Sequence, residues 1–161
     1  MKKTKQKYPE KGYFGIGIVN SEKELNIGTL WRSAYILGAS FIFTIGAKYK
    51  KQCSDVVKAW TKIPLYYYSD FEDFHSHVPY DCRIVAVEMD ERAGGIIEYE
   101  HHKRCIYLLG CESTGLGKKV MDRCHDKIFL PGHHSLNVAV AGSVVMYDRY
   151  SKIGGVLPEA E

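Results

Sequence analysis

The stretch Ile128–Asp148, IFLPGHHSLNVAVAGSVVMYD, decides how this chain is read. Ile128, Phe129 and Leu130 form an apolar run short enough for a buried strand. Pro131 and Gly132 end it as a turn. From Ser135 the pattern changes to that of a helix, with Ser135 expected as the N-cap, its hydroxyl accepting from a backbone N–H of the first turn. Leu136, Ala139, Val140, Ser143, Met146 and Tyr147 then recur at three- and four-residue spacing. The small residues Ala139, Ala141, Gly142 and Ser143 allow a close backbone approach. A strand, a polar turn and a helix N-terminus in succession gather unpaired N–H groups into a pocket suited to a ligand with carboxylate and hydroxyl groups. An ordinary solvent-facing strand–helix joint shares this local pattern, so the rest of the chain has to decide between the two.

Outward from that stretch, strand and helix patterns alternate. Phe14–Val19 reads as a first strand whose glycines imply close backbone approach. Asn26–Leu37 reads as a helix, with Asn26 as N-cap, Ile27, Leu30, Trp31, Ala34 and Leu37 on one face, and Gly38 as the stop. Phe41–Ile45, Leu65–Tyr68, Arg83–Glu88 and Cys105–Leu109 read as further strands. Short helices are expected within Asp55–Trp60, Asp70–His77 and Gly115–His125. With the strand at Ile128 this gives about six strands. Strands alternating with helices predict an α/β fold around a mostly parallel sheet. No repeat, linker or low-complexity segment divides the chain, so residues 1–161 are read as one domain.

The 161 residues carry 45% hydrophobic and 25% charged residues, enough for a packed core. No stretch approaches the roughly 18 apolar residues of a membrane helix. The N-terminus, MKKTKQKYPEKG, is basic but lacks a following apolar segment, so residues 1–12 read as a solvated arm rather than a secretory signal. Five cysteines at irregular spacing, with no CxxC pair, fit a reduced, cytoplasmic compartment. The formal net charge is only +3. Basic residues nevertheless cluster at Lys2, Lys3, Lys5 and Lys7, at Lys48, Lys50 and Lys51, at Lys103 and Arg104, and at Lys118, Lys119 and Arg123. Sharing one face, they would attract phosphates.

Three polar constellations line up along the chain. The first is Asn26-Ile-Gly-Thr-Leu-Trp-Arg32, in which Asn26 and Arg32 are six apart, so both can lie toward one side of the helix start. A guanidinium there can grip a phosphate or polarise a hydroxyl. The second is Leu109-Gly-Cys-Glu-Ser-Thr-Gly-Leu-Gly117, at the carboxyl end of a strand, where open α/β sheets bind ligands. It matches neither GxxxxGK[ST] nor GxGxxG. The third is the opening stretch with Ser135 and Asn137.

Together these resemble the motifs of the SpoU-type (TrmH-like) RNA ribose methyltransferases of the SPOUT superfamily. The family forms are approximately N-x-G-x-x-x-R, G-x-E-x-x-G-L and I-P-x-x-G-x-x-x-S-L-N-V. This chain supplies Asn26, Gly28 and Arg32; then Gly110, Glu112, Gly115 and Leu116; then Ile128, Ser135, Leu136, Asn137 and Val138, in the family's order. Phe129 replaces the usual proline, Pro131-Gly132 shifts the local turn, and Cys111 precedes the glutamate where Asn or Ala is common.

The resemblance implies a C-terminal deep trefoil knot, which periodicity would never suggest. It implies S-adenosyl-L-methionine as cofactor, with Gly110, Ile128 and Leu136 as contacts and the backbone near Val87 and Glu88 adding to them. It implies 2′-O-methylation of a ribose in tRNA or rRNA, with Arg32 orienting the hydroxyl and its phosphate, and Asn26, Glu112, Ser135 and Asn137 completing the site. Arg32 is a poor general base, because a guanidinium stays protonated. It also implies a homodimer, for which the surfaces around Trp31 and Tyr35 and around Met146 and Tyr147 are candidates. Neither DNA nor a membrane is an expected partner. The short segment before the first strand resembles the minimal family members, which lack an extra RNA-binding domain. Two other readings compete. One is a module that binds S-adenosylmethionine or RNA without methyl transfer. The other is a metal protein using His101, His102 and Cys105, or His133 and His134, but this spacing matches no structural zinc pattern, so no metal is expected. His133 and His134 suit an RNA contact better.

Overall fold

The computed structural model describes residues 12–160, so the basic arm lies outside the described residues except for Gly12. Seven strands form one sheet: β1 (Tyr13–Val19), β2 (Phe41–Ile45), β3 (Leu65–Tyr68), β4 (Arg83–Val87), β5 (Gly94–Gly95), β6 (Arg104–Leu109) and β7 (Asp126–Phe129). Their order is β3-β2-β1-β6-β4-β7-β5, and every pairing is parallel. The sheet thus has one strand more than the six expected. The addition is β5, two glycines that pair by backbone with Ile128 and Phe129 of β7. Late strands insert between earlier ones: β6 enters between β1 and β4, and β7 between β4 and β5.

Both faces of a parallel sheet are covered, so its strands alternate between two apolar layers. Phe14, Ile16 and Ile18 of β1 and Cys105, Tyr107 and Leu109 of β6 face one layer. That layer is completed by α1 (Glu24–Ile36) and α4 (Val138–Ile153). Ile106 and Leu108 face the other, with Phe74 of α2 (Phe71–Ser76) and Met121 of α3 (Lys118–Asp122). The small-residue stripe on α4 serves the expected close approach. A Cβ at Gly142 would lie 2.4 Å from Leu30 Cδ1 of α1, inside van der Waals contact. Ser143 Oγ also donates to Ser33 Oγ at 2.8 Å.

Two helix starts differ from the sequence reading. α1 begins at Glu24, with Lys23 in the N-cap position and no side-chain cap. Asn26 is therefore not the cap but a residue of the first turn, and its amide is used elsewhere. α4 begins at Val138, and its cap is Asn137 rather than Ser135. The Asn137 Oδ1 accepts from Ala139 N at 2.9 Å and Val140 N at 3.4 Å, the second and third N–H groups of the helix. Ser135 stays in an exposed loop. The helix expected at Asp55–Trp60 is a 3₁₀ turn at Ala59–Thr61, held by the buried Asp55 carboxylate, both of whose oxygens accept from Ala59 N at 3.0 Å. Of the expected interface residues, Trp31 and Met146 are core, fully buried in the α1–α4 layer, while Tyr147 is exposed beside Val140 and Val144.

At the amino end of β6 lies a buried polar network. Arg149 of α4 donates to His102 O at 2.6 Å and Lys103 O at 2.9 Å, and stacks over the Phe14 ring at 5.1 Å. His101 Nδ1 lies 2.5 Å from Tyr107 Oη, and its Nε2 lies 2.8 Å from Asp148. A proton on Nε2 satisfies both contacts. Burial pushes the His101 pKa below and the Tyr107 pKa well above their ordinary values. Burial also opposes ionisation of Asp148, but hydrogen bonds from Lys152 and His101 outweigh it and lower that pKa. His102 reaches Asp126 instead, at 2.7 Å. His101 and His102, raised together as metal candidates, are thus engaged by different carboxylates.

Candidate active site

The carboxyl ends of β4, β6 and β7 open onto a cleft of about 1050 Å³. Leu109, Leu130, Leu136 and Val138 give it apolar walls, and Glu88, Glu112 and Ser135 give it polar ones. The loop after β6 folds back sharply on itself. Gly115 N donates to Cys111 O at 3.0 Å, and a Cβ on Gly110 would lie 2.2 Å from the Gly115 carbonyl carbon. Only glycine fits there. Glu88, at the end of β4, fastens this loop: its Oε2 accepts from Leu116 N and its Oε1 from Met89 N, both at 3.0 Å. The Val87–Glu88 corner was expected to reach the cofactor by its backbone. The corner does line the cleft, and the Glu88 side chain also shapes it.

Across the mouth of the cleft, one hydrogen-bond chain links the three sequence constellations. Asn137 Nδ2 donates to Asn26 Oδ1 at 3.0 Å, and Asn26 Nδ2 donates to Glu112 Oε1. The chain runs from the N-terminus of α4, through two amides, to a carboxylate. Each amide is polarised in the same sense, which strengthens its neighbours. Residues 26, 112 and 137 are far apart in sequence, and α1 has to start before Asn26 for its side chain to point this way. The α4 cap and the α1 first turn are thereby locked to the β6 loop.

Gly110, Glu112, Ser135, Leu136 and Asn137 line the cleft, as do Val87 and Glu88. Leu136 is 49% exposed and free to cover a ligand. Three expected residues are placed otherwise. Asn26 does not line the cleft and joins it only through its hydrogen bonds with Asn137 and Glu112. The Ile128 side chain is core, its carbonyl accepts from Glu88 N at 3.0 Å, and Leu130 lines the cleft in its place. Arg32 is not brought to the cluster. Six residues along a helix turn it by about 120° from Asn26. It is exposed, lines no part of the cleft, and makes no hydrogen bond or ion pair among the described residues.

The sequence reading missed part of the lining. Asp90 and Arg92, just after β4, form an ion pair at 2.9 Å that Asp122 extends. The Arg92 guanidinium pulls the Asp90 pKa down to about 2. Their position just past a strand's carboxyl end was the available signal. Cys111 also lines the cleft. Partial burial alone would raise its pKa, but hydrogen bonds from the Thr114 and Ser113 side chains and backbone bring it below its ordinary value.

A parallel α/β sheet whose carboxyl end holds a mixed polar and apolar cleft defines a class of small-molecule and nucleotide-binding enzymes. Within that class the chain belongs to the SpoU rRNA methylase family, whose model matches residues 14–147. No curated protein sequence matches it significantly. The fold is shared with several solved structures. One, described as giving structural insights into the 2-OH methylation of C/U34 on tRNA, is 24% identical with a TM-score of 0.74, covering 88% of this chain and 97% of that one. An AdoMet-bound rRNA methyltransferase from Sinorhizobium meliloti is 20% identical with a TM-score of 0.77, covering 89% of this chain but only 58% of that one. The A. aeolicus TrmH/SpoU tRNA modifying enzyme is 18% identical with a TM-score of 0.77, covering 86% and 74%.

Proposed function

We propose that this protein transfers a methyl group from S-adenosylmethionine to a ribose 2′-hydroxyl of tRNA or rRNA. The observation that carries the reading is the Asn137–Asn26–Glu112 chain at the cleft mouth, which assembles three family motifs from distant parts of the sequence into one site. Family membership supports RNA methylation. The AdoMet-bound relative supports the cofactor, and the relative associated with 2-OH methylation supports the ribose oxygen as acceptor.

The cleft fits the cofactor's chemistry. Leu109, Leu130 and Leu136 offer apolar surface to a purine, while Ser135, Glu112 and the Asp90–Arg92 pair offer partners to an amino-acid end. When bound, the cofactor supplies an electrophilic sulfonium methyl, so the protein's task is mainly to position groups. Asn26 and Glu112 hold each other fixed beside the cleft and present hydrogen-bonding edges to an incoming ribose. Leu136 closes over the bound group, and Ser135 bonds its polar edge. Arg32 supplies fixed positive charge to the substrate phosphate and hydroxyl.

The exposure of Arg32 outside its own cleft fits a homodimer in which the α1–α4 face is shared. Val140, Val144 and Tyr147 form an exposed apolar stripe on α4 at helical spacing, which supports that assembly. Insertion of β6 and β7 between earlier strands supports the knot implied by the family.

The test is methyl transfer from labelled S-adenosylmethionine to total RNA from a strain lacking the gene, followed by nucleoside analysis. A 2′-O-methylated nucleoside is expected. Label in a base would overturn the ribose assignment, and cofactor binding with no transfer to any RNA would favour the binding module.

A further inference from the structure

We propose that the segment from Gly46 to Ser69, beside the cleft, is a docking surface for an unpaired stretch of RNA, using lysines for phosphates and aromatic rings for bases. The inference rests on the RNA-methylating reading above. It adds where the RNA lies and in what form it is bound.

The composition is one-sided. Residues 46–69 hold five lysines and five tyrosine or tryptophan residues but a single carboxylate, Asp55. That carboxylate is buried and spent on Ala59 N. Lys50 pairs with Glu24 of α1 at 3.3 Å. Lys48, Lys51 and Lys58 are exposed and meet no carboxylate among the described residues. Uncompensated positive charge on a surface otherwise near balance selects an anion.

The aromatic rings narrow the choice. Lys48 Nζ stands 5.3 Å from the Tyr67 ring centroid, Lys51 Nζ 4.1 Å from that of Trp60, and Lys62 Nζ 4.9 Å from that of Tyr35 on α1. The same cation-and-ring pair thus recurs three times, twice within the segment and once between it and α1. A nucleotide presents the matching combination, a phosphate next to a base with a π face. Base stacking on rings needs bases free of a duplex, so the favoured partner is single-stranded. An acidic peptide would use the lysines and leave the exposed Tyr66 and Tyr67 rings unused; an anionic bilayer could use both, and the vesicle arm of the experiment separates it from RNA.

The surface is continuous with the site. Ser54 Oγ donates to Leu25 O at 2.9 Å and Gln52 Nε2 to Glu24 Oε2 at 3.1 Å, which pins the segment to the first turn of α1. Asn26 lies on that same turn. Further along α1, Arg32 and Tyr35 are one turn apart on neighbouring positions of the helix surface. A strand lying from Tyr67 and Trp60 toward Tyr35 would therefore come within reach of Arg32, on a side of α1 turned away from Asn26. This gives the exposed, unpaired Arg32 a substrate to meet.

The experiment measures direct binding of a short unstructured oligoribonucleotide, without cofactor, across a range of salt concentrations. The variants are the triple Lys48→Ala, Lys51→Ala, Lys58→Ala and the single Tyr67→Leu. None of these residues lines the cleft, so calorimetric affinity for S-adenosylmethionine should stay at the wild-type value and doubles as a check on folding. The triple variant should bind the RNA at least about tenfold more weakly, with the slope of log affinity against log salt smaller by about 2. Tyr67→Leu should cost about fivefold with the salt slope unchanged. With a methylated substrate in hand, both should raise KM for RNA and spare kcat. Unchanged RNA affinity and slope in the triple variant would overturn the proposal, as would equal binding of a blunt RNA duplex. Lysine-dependent binding to phosphatidylserine vesicles with RNA binding unaffected would overturn it in favour of a membrane surface. Because binding is measured without methyl transfer, failure of this surface and failure of the methyltransferase reading give different results.

Discussion

The carboxyl end of the sheet and its amino end both carry clusters of hydrogen-bonded polar side chains, built in opposite ways. At the amino end, Arg149 and His101 are buried, and their polar atoms meet carbonyls, a phenol and a carboxylate within the protein. At the carboxyl end, Glu112, Ser135 and Asn137 are exposed around an open cleft, and Asn26 is half-buried. Satisfied, water-excluded groups rigidify a fold, and removing one strands its partners. Exposed groups held in fixed positions contribute little to stability and keep bonding capacity for a ligand. Polar residues alone therefore do not mark a site here; polar residues that are fixed but not consumed do.

The largest expected effect lies in the proposed reaction, at a residue outside both clusters. Arg32→Ala should slow single-turnover methyl transfer roughly 100- to 1000-fold, the loss of about 3–4 kcal/mol of transition-state stabilisation. The melting temperature should move by no more than about 2 °C, as for a surface substitution. Arg32→Lys should rescue poorly, since an ammonium lacks the planar fork. A variant that melts lower yet methylates at the wild-type rate would make Arg32 structural.

At the amino end the balance should reverse. Arg149→Ala leaves two backbone carbonyls and the Tyr107 hydroxyl short of a donor, at a cost of about 3 kcal/mol. For a chain of this length that is roughly 6–12 °C in melting temperature. Affinity for S-adenosylmethionine per folded molecule, measured by calorimetry below the transition, should be unchanged.

Asn137 belongs to both descriptions, as α4 cap and as a link in the cleft chain. Asn137→Ala should cost about 1 kcal/mol, or roughly 2–4 °C, from the cap alone. Asn137→Ser retains a cap but cannot donate to Asn26 with the same reach. It should recover most of the stability and little of the activity.

The smallest effect is a pH dependence. The folded His101 pKa lies below its ordinary 6.5, so the unfolded chain binds the proton more readily. Its contribution to stability is complete above about pH 6.5 and is lost as pH falls toward the folded value. His125 is shifted in the same direction, mainly by burial. Thermal melts between pH 7 and 5 should show declining stability, and His101→Gln should remove part of that slope. An unchanged slope would place the proton uptake elsewhere.

Much of the carboxyl end was legible in sequence because motif order and strand ends coincide there. Gly110, Glu112 and the Ser135–Asn137 segment all sit where a strand gives way to a loop, and the structure puts them at one cleft. Helix starts were less legible. Ser135 and Asn137 are both good caps, and only the packing of α4 selects the one two residues further on. Asn26 reads as a cap by residue type, yet its amide is claimed by Asn137 and Glu112, contacts more than eighty residues away. β5 carries no β-forming residue, since Gly94 and Gly95 pair purely through backbone with β7. The amino-end network was illegible for a related reason. His101, Tyr107, Asp148 and Arg149 look unrelated until β6 and α4 are packed together.

The most direct test of the contrast is the single-turnover methylation rate of Asn26→Ala, normalised to folded protein. Asn26 is the middle link of the chain at the cleft mouth and caps no helix. The account predicts a rate at least about tenfold below wild type, while the melting temperature shifts by no more than about 2 °C. A wild-type rate from this variant would contradict it, and would show that the chain joining the three motifs does not serve the reaction.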